Sequence, residues 1–144
     1  MFAKILYPTD FSDVSKKALA YIKQLKEAGT KEVIVLHVID ERQIEAVVLY
    51  GRGNSCVFID NMEQEARREV TAIEKELRDS GFEVKARIET GIPLREILRV
   101  EEEEKVSLIV IGSHGKTNIK EMLIGSVSEK VVRRAKNPVL LIKR

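Results

Sequence analysis

Short apolar runs alternate along the chain with longer segments in which apolar residues recur every three or four positions. This alternation predicts βαβ units, because a strand covered on both faces is apolar throughout, whereas a surface helix is apolar along one stripe. Five runs have the length and composition of strands: Lys4 to Tyr7, Val33 to Val38, Phe82 to Ile88, Leu108 to Ile111 and Val139 to Ile142. The pattern therefore predicts an α/β protein with a parallel sheet.

Four segments between the predicted strands have helical spacing and recognisable ends. The first runs from near Ser12 to Gly29, and the second carries an apolar stripe from Met62 to Leu77 and ends at Gly81. The third has Pro93 in its first turn, and the fourth follows Gly125 and ends at Asn137-Pro138. In the last of them, Ser126 and Glu129 have the S-x-x-E spacing of a capping box. We expect these helices to cover both faces of the sheet.

Residues 40–60 follow neither period, since Ile44 to Tyr50 is apolar without a clear stripe and Gly51 to Ser55 is a cluster of helix-breaking residues. We predict a loop or lid there. No linker-like tract and no repeat divides the sequence. Residues 1–144 are therefore predicted to form one domain, an open five-stranded parallel sheet with helices on both faces, in a three-layer sandwich of the flavodoxin-like or Rossmann-like kind.

The charge pattern narrows the class of partner. Charged residues make up 33% of the 144 residues, against a typical share of about 25%, yet the net charge is +2 and no continuous basic stretch occurs. We therefore expect no nucleic-acid partner, and we interpret the acidic run Glu101 to Glu104 as a solvated helix end. Since no apolar run approaches 18 residues and the first residues do not resemble a signal segment, we also expect no membrane association and a cytoplasmic location.

Histidine and cysteine are too few for a zinc site made by this chain alone, because two histidines and Cys56 give only three ligands. Cys56 has no evident activating base and is expected to be unreactive. His37 stands in an apolar run and is predicted to be a core residue. His114 stands between two glycines with no acidic residue nearby in sequence, so we predict a packed loop residue and not an acid–base catalyst.

Polar and glycine residues gather where predicted strands end, as in Pro8-Thr9-Asp10, Val38-Ile39-Asp40 and Ile111-Gly112. In an open parallel sheet, ligands bind beyond the carboxyl ends of the strands, where the strand order reverses. These residues are therefore candidates for a binding site. Asp10 has a second explanation, because an Asp two residues before Ser12 can cap the first helix, and capping and ligand contact can coexist.

The strongest chemical feature is Gly112-Ser113-His114-Gly115, followed after nine residues by Gly125-Ser126. Glycines let backbone N–H groups approach anionic oxygens, a helix N-terminus adds donors, and the Ser126 and Ser128 hydroxyls can add more. The pattern predicts a phosphate site, although the same residues could serve only turns and a helix cap. Lys116 could reach phosphate or lie in solvent. Val110 stands where a Walker loop needs glycine, and no G-x-G-x-x-G follows the first strand.

The G-x-x-G-x9-G-S pattern, together with Pro-Thr-Asp after the first strand, resembles the universal stress protein family. The resemblance spans the chain and includes His-Val at the end of the second strand and the Asn-Pro-Val-Leu-Leu-Ile ending. Because the nucleotide-binding branch of that family carries the glycine pattern, the resemblance implies that this chain binds ATP or another adenine nucleotide. It also implies a homodimer.

The resemblance further implies a role for each matching position. Asp10 would lie against the nucleoside and the Val38 backbone would meet the adenine, while Gly112 and Gly115 would line the ribose and phosphates. The helix start at Gly125 would hold the phosphate chain with Mg²⁺ or Mn²⁺, bound mainly by the phosphates. The expected nucleotide-binding residues are Pro8, Thr9, Asp10, Val38, Ile111, Gly112, His114, Gly115, Gly125, Ser126, Val127 and Ser128.

We therefore expect an ATP-binding regulatory module of the stress response that acts on a protein partner the sequence does not name. One alternative is a dimeric scaffold that binds no nucleotide, and another is a slow ATPase. The sequence offers no evident general base or arginine finger, so we expect at most slow ATP hydrolysis. The last strand would leave an apolar sheet edge open, which predicts a homodimer through the C-terminal strand 138–143.

Overall fold

A computed structural model describes residues 1–51, 55–113 and 125–143 of the chain. Within these ranges, five strands form one sheet in the order β3-β2-β1-β4-β5, and every neighbouring pair is parallel. The strands are β1 (Lys4–Pro8), β2 (Glu32–Asp40), β3 (Glu83–Gly91), β4 (Leu108–Gly112) and β5 (Val139–Ile142). The predicted α/β fold is confirmed, and the strand order is that of the Rossmann type.

Helices cover both faces of this sheet, as the sequence predicts. The helices are α1 (Asp13–Leu25), α2 (Glu41–Tyr50), α3 (Ser55–Asp79), α4 (Pro93–Glu104) and α5 (Ser126–Arg134). Apolar residues of α1 and α3 pack with alternate strand residues such as Ile5 and Val35 on one face. Residues of α4 and α5 pack with Leu6 and Ile34 on the other. The alternation of side chains along each strand thus supplies two separate cores.

The segment from 40 to 60, predicted to be a loop or lid, contains α2 and the first turns of α3, so that prediction is wrong. Asp40 is the N-cap of α2, and its side chain accepts a hydrogen bond from the Arg42 backbone N–H. All of α2 is described, and it buries none of its residues. Because a helix without a buried face needs no apolar stripe, its period was invisible in the hydrophobic pattern.

The acidic run at the end of α4 is not a solvated helix end, because Glu101 and Glu104 are only 3% and 7% exposed. The Glu104 carboxylate accepts hydrogen bonds from Lys85 Nζ at 2.8 Å. The Glu101 carboxylate accepts from the backbone N–H groups of Lys136 and Asn137 at 3.0 and 2.9 Å. It thereby fixes the turn between α5 and β5.

Candidate functional site

The strand order reverses between β1 and β4, and a cleft of about 710 Å³ opens there beyond the carboxyl ends of the strands. In doubly wound sheets this is the position where ligands bind, because the loops that follow the two strands diverge to opposite faces. Residues at and beyond the carboxyl ends of β1, β2 and β4 line the cleft together with the first turn of α5 and one side of α3.

All predicted nucleotide-binding residues that the structure describes line this cleft. They are Pro8, Thr9, Asp10, Val38, Ile111, Gly112, Gly125, Ser126, Val127 and Ser128. His114 and Gly115 lie outside the described residues, as does Lys116. The fold thus brings together residues that are up to 120 positions apart in the sequence, from Pro8 to Ser128. Their contact with a nucleotide stays a prediction.

The loop between β1 and α1 is fixed to its surroundings at Thr9, which is 6% exposed. The Thr9 N–H donates to the Leu36 carbonyl at 2.8 Å, which extends the β1–β2 ladder past the end of β1. The Ser15 hydroxyl donates to Thr9 Oγ1 at 2.6 Å, and the Tyr7 hydroxyl donates to the Ser15 carbonyl at 2.6 Å. Burial raises the pKa of Tyr7, so this buried donor stays protonated at neutral pH.

The two explanations for Asp10 are distinguished by the cap of α1. Ser12 is the N-cap residue, and its hydroxyl oxygen accepts from the Ser15 N–H at 3.3 Å. Asp10 Oδ1 instead accepts from the Ser12 N–H at 2.9 Å, which closes a turn just before the helix. The Asp10 side chain therefore shapes the loop without capping the helix, and it also lines the cleft.

Phe11 has a backbone conformation that is rare for a bulky residue, with φ at +65°. Its N–H donates to Thr9 Oγ1 at 3.0 Å, and its ring stacks on His37, with the ring centroids 4.3 Å apart and the planes inclined by 24°. His37 Nδ1 lies 2.8 Å from the Thr9 carbonyl oxygen. Since a carbonyl oxygen only accepts, Nδ1 carries the hydrogen.

The prediction that His37 is a core residue is therefore wrong. His37 is half-buried and lines the cleft together with Phe11. It belongs to β2, but it stands one residue beyond Leu36, the last β2 residue that pairs with β1. Beyond Leu36, no β1 residue lies beside β2 in the sheet. A side chain at this position therefore borders the ligand crevice.

At the start of α5, the capping box predicted from Ser126 and Glu129 is not formed. Gly125 is the N-cap residue, and among the described residues no side chain provides the cap hydrogen bond. Ser126 is already the first residue of the helix, one position too late to act as its cap. The Glu129 N–H donates to the Gly125 carbonyl at 2.9 Å, so the N–H groups of residues 126–128 precede the first intrahelical bond.

Ser128 is buried, and its hydroxyl donates within the protein. It lies 2.9 Å from the Ser113 carbonyl and 3.0 Å from the Gly125 carbonyl, and it connects α5 to the end of β4. The Gly125 N–H also donates to the Ser113 carbonyl, at 2.5 Å. The Ser128 hydroxyl hydrogen is thus already used, and the backbone N–H is the donor that this residue offers an anion.

The glycine at position 112 has a packing role. A Cβ atom there would lie 3.1 Å from the Ser15 backbone nitrogen and 3.1 Å from Val14 Cγ1. The absence of a side chain at Gly112 therefore allows the end of β4 to approach the first turn of α1. The sequence interpretation offered a ligand contact or a turn for this glycine and did not include a packing role.

One side of the cleft carries the strand-end candidate Asp40 together with charged residues of α2 and α3 that the sequence did not indicate. Arg42 Nε and Nη2 donate to Asp40 Oδ1 and Oδ2 at 2.9 and 2.7 Å, and these hydrogen bonds lower the pKa of Asp40. Glu65 and Glu69 of α3 line the same side. The place of Asp40 at the end of a predicted strand indicated that it would lie at the cleft. The sequence did not indicate this for Glu65 and Glu69, because their position depends on how α3 packs on the sheet.

Within the described ranges, no three side chains of the His, Cys, Asp or Glu type come together as a metal site. In that same part of the chain, no helix combines the length and the apolar character needed to cross a membrane.

Comparison with known proteins adds the following findings. The model of the "Universal stress protein family" matches residues 1–143. Universal stress protein MJ0577 of Methanocaldococcus jannaschii is 44% identical over 156 residues, covering 100% of this chain and 96% of that protein. A solved structure of MJ0577 superposes with a TM-score of 0.90 at 46% identity, covering 100% of this chain and 97% of that one.

More distant solved structures share the fold. A universal stress protein in complex with cAMP matches with a TM-score of 0.66 at 23% identity, covering 99% of this chain and 97% of the other. The universal stress protein from Archaeoglobus fulgidus in complex with dAMP matches with a TM-score of 0.65 at 20% identity, covering 99% and 98%. At these identities the likeness concerns the fold.

Proposed function

This chain belongs to the universal stress protein family, and from that premise we propose that it binds an adenine nucleotide in the cleft beyond β1, β2 and β4. The observation that carries the proposal is the first turn of α5. Its N–H groups at Ser126, Val127 and Ser128 have no intrahelical acceptors, and these residues line the cleft. A helix N-terminus with this exposure favours the oxygens of a phosphate chain, through both its donors and its partial positive charge.

The opposite end of the cleft suits a nucleobase. The Leu36 carbonyl faces β1, because it accepts the Thr9 N–H. In a parallel strand the backbone groups of every second residue point to the same side, so those of Val38 also point toward β1. Since β1 pairs only as far as Leu36, Val38 directs one donor and one acceptor into the cleft. An adenine edge, which offers an acceptor nitrogen beside an amino group, is complementary to that pair.

We assign Mg²⁺ or Mn²⁺ to the phosphate chain and not to a protein site. Asp10 is the acidic residue of the expected nucleotide set, and its Oδ1 already accepts from the Ser12 N–H. Nonbridging phosphate oxygens are strong ligands for hard divalent ions, which retain several water molecules when they bind nucleotides. The chain would then contribute donors from α5, and the ion would reduce the charge of the triphosphate.

The biological role that follows is a nucleotide-responsive regulatory module of the stress response. A bound nucleotide would contact the β1–α1 loop, the end of β2 and the start of α5 at the same time. These three elements come from different parts of the chain. A ligand that binds one arrangement of these elements more tightly shifts the population toward it, and a protein partner can read that arrangement.

The proposal is tested by calorimetric titration of the purified protein with MgATP and with AMP, after removal of any nucleotide retained in purification. We expect ATP to bind more tightly than AMP, because α5 meets the phosphate chain. Gly125→Val should abolish ATP binding, since a branched side chain at the N-cap would cover the first N–H groups of α5. ATP at about 100 times its dissociation constant should stabilise the wild type by about 2.7 kcal/mol.

Ala135→Val is the matched control. Ala135 is the C-cap of the same helix, and its backbone angles of −63° and 145° are close to the −63° and 151° of Gly125. The control therefore introduces the same side chain in the same backbone conformation, at the far end of α5. Wild-type ATP affinity in Gly125→Val, or no ATP binding by the wild type, would contradict the proposed site.

A second candidate function, a dimeric scaffold that binds no nucleotide, is favoured by one observation. β5 is the last strand of the sheet order, and it pairs with β4 on one side. Its residues Val139, Leu140 and Leu141 are half-buried and apolar. Pairing of strand 138–143 with a second copy would cover this edge, and such a homodimer is compatible with nucleotide binding as well.

A further inference from the structure

From the contacts around the strained loop after β1, we propose that His37 is a positioning residue, which holds Thr9 and Phe11 so that the nucleoside half of the cleft is formed before the nucleotide arrives. This inference rests on the proposed nucleotide site and adds to it a residue that makes no assigned contact with the ligand. The imidazole acts through two different interactions, a hydrogen bond and a ring contact.

The hydrogen bond fixes the main chain of the loop. His37 Nδ1 donates to the Thr9 carbonyl at 2.8 Å, and the Thr9 N–H donates to the Leu36 carbonyl at 2.8 Å. Both polar groups of the Thr9 backbone are thus bound to consecutive residues of β2. Because β2 lies inside the sheet, it provides a rigid reference for the loop that carries Asp10.

The ring contact stabilises a conformation that the loop would otherwise leave. Phe11 has φ at +65°, which is unfavourable for a bulky side chain. The Phe11 ring packs on the His37 ring, with the centroids 4.3 Å apart. Stacking and the hydrogen bond from the Phe11 N–H to Thr9 Oγ1, at 3.0 Å, offset this strain. Without the imidazole, the left-handed turn loses this ring contact.

His37 would affect nucleotide binding by raising the fraction of molecules whose β1–α1 loop is in the binding-competent conformation. A loop that adopts the binding-competent conformation only part of the time lowers the apparent affinity by that fraction. The loss falls on ligands that contact the loop, which are those with a nucleoside. A ligand that contacts only the first turn of α5 is not affected, and inorganic tripolyphosphate is such a probe.

Two substitutions separate the two interactions of His37. His37→Asn places an amide N–H near the position of Nδ1, so it keeps a donor for the Thr9 carbonyl and loses the ring. His37→Phe keeps a ring against Phe11 and loses the donor. A hydrogen bond and an aromatic pair make contributions of similar size, so we expect each variant to bind MgATP about two- to tenfold more weakly than the wild type.

Thr30→Val is the matched control for general destabilisation. The Thr30 hydroxyl donates to the Phe2 carbonyl at 2.6 Å, and Thr30 is 2% exposed. The substitution removes a partly buried side-chain-to-backbone hydrogen bond, as His37→Phe does, but at the opposite end of the sheet. We expect it to lower the melting temperature and to leave MgATP affinity unchanged.

The experiment is calorimetric titration of the wild type and the three variants with MgATP and with magnesium tripolyphosphate. Weaker binding of MgATP with unchanged binding of tripolyphosphate in both His37 variants supports the positioning role. Wild-type MgATP affinity in both His37 variants overturns it, and so does an equal loss for both ligands. If the wild type binds neither ligand, the proposed function itself fails and this inference fails with it.

Discussion

At the scale of single residues, Gly112 of the glycine pattern and the nearby Ser128 hold the fold together at the place where a ligand is expected. Gly112 allows β4 to approach the first turn of α1, and the Ser128 hydroxyl connects α5 to the carbonyl that follows β4. The first contact thus fixes the end of β4 against α1, and the second fixes the start of α5 to the end of β4. A phosphate site made of backbone donors requires this packing, because those donors have to be held in place before the anion binds.

Gly112→Ala should destabilise the protein by about 1–3 kcal/mol, because the added Cβ would press on backbone atoms that cannot move without shifting α1. Urea unfolding followed by circular dichroism measures this loss. Gly125→Ala is the comparison, since Gly125 has an extended backbone that other residues adopt, and it should cost much less. Equal stability of the two variants would contradict the packing role.

The residue scale also shows where sequence reasoning reaches its limit. The positions of Asp10, Val38 and Gly125 at the cleft follow from strand ends and a helix start, which the hydrophobic pattern locates. The role of His37 does not follow, because an apolar run predicts burial and contains no information on where a neighbouring strand stops. The positive φ of Phe11 is equally invisible, since nothing in the residue type indicates it.

At the scale of elements, α2 differs from the other helices because it has no buried residue to stabilise it. A helix of ten residues without a buried face is marginal in water, so its ends matter more than usual. Asp40 caps its first turn and forms two side-chain hydrogen bonds with Arg42. Because these residues line the cleft, the stability of α2 affects one side of the site.

Asp40→Ala should weaken α2 by about 1 kcal/mol and speed the hydrogen exchange of its amides, which mass spectrometry can follow. Asp40→Asn is the control, because it keeps a cap acceptor but lacks the charge that pairs with Arg42, so its protection should lie between those of the wild type and Asp40→Ala. Since Arg42 lowers the pKa of Asp40, the contribution of the carboxylate is complete above the ordinary Asp pKa and is lost as the pH falls through the lowered value. Protection of α2 that stays constant on acidification would contradict this account.

The elements predicted from sequence were those with a buried face. The five strands and the helices α1, α3, α4 and α5 all contribute apolar residues to one or both of the two cores, and their periods were visible. The start of α5 was placed correctly, but its capping box was not, because a one-residue shift in the helix start makes Ser126 a residue of the helix. α2 was missed because it buries no residue and therefore leaves no apolar stripe in the sequence.

At the scale of the whole molecule, β5 is the last strand of the sheet, and no strand among the described residues pairs with its outer side. The Pro138 and Ile142 carbonyls accept from Ile109 and Ser113 of the β4 side. Because backbone directions alternate along a strand, Val139 and Leu141 direct their N–H and C=O groups away from β4. An edge with outward donors and acceptors can pair with a second copy of the same strand.

Leu141→Pro should therefore shift a homodimer to the monomer, since it removes an outward N–H group and leaves the bonds of β5 to β4 in place. Light scattering measures the mass of the species in solution. Leu141→Ala is the control, because it loses the side chain and keeps the N–H group, and it should stay dimeric. A wild type that is monomeric, or a Pro variant that remains a dimer, would contradict the edge pairing.

The cleft draws its residues from both ends of the chain, and this has a consequence for protein synthesis. Pro8 and Thr9 leave the ribosome early, whereas Ser126 to Ser128 belong to α5, the last helix that the structure describes. A nascent chain cannot complete the cleft until nearly all of the domain has emerged. Nucleotide binding at the proposed site would thus require a nascent chain whose translation has passed residues 126–128, and cellular ATP would stabilise only such chains.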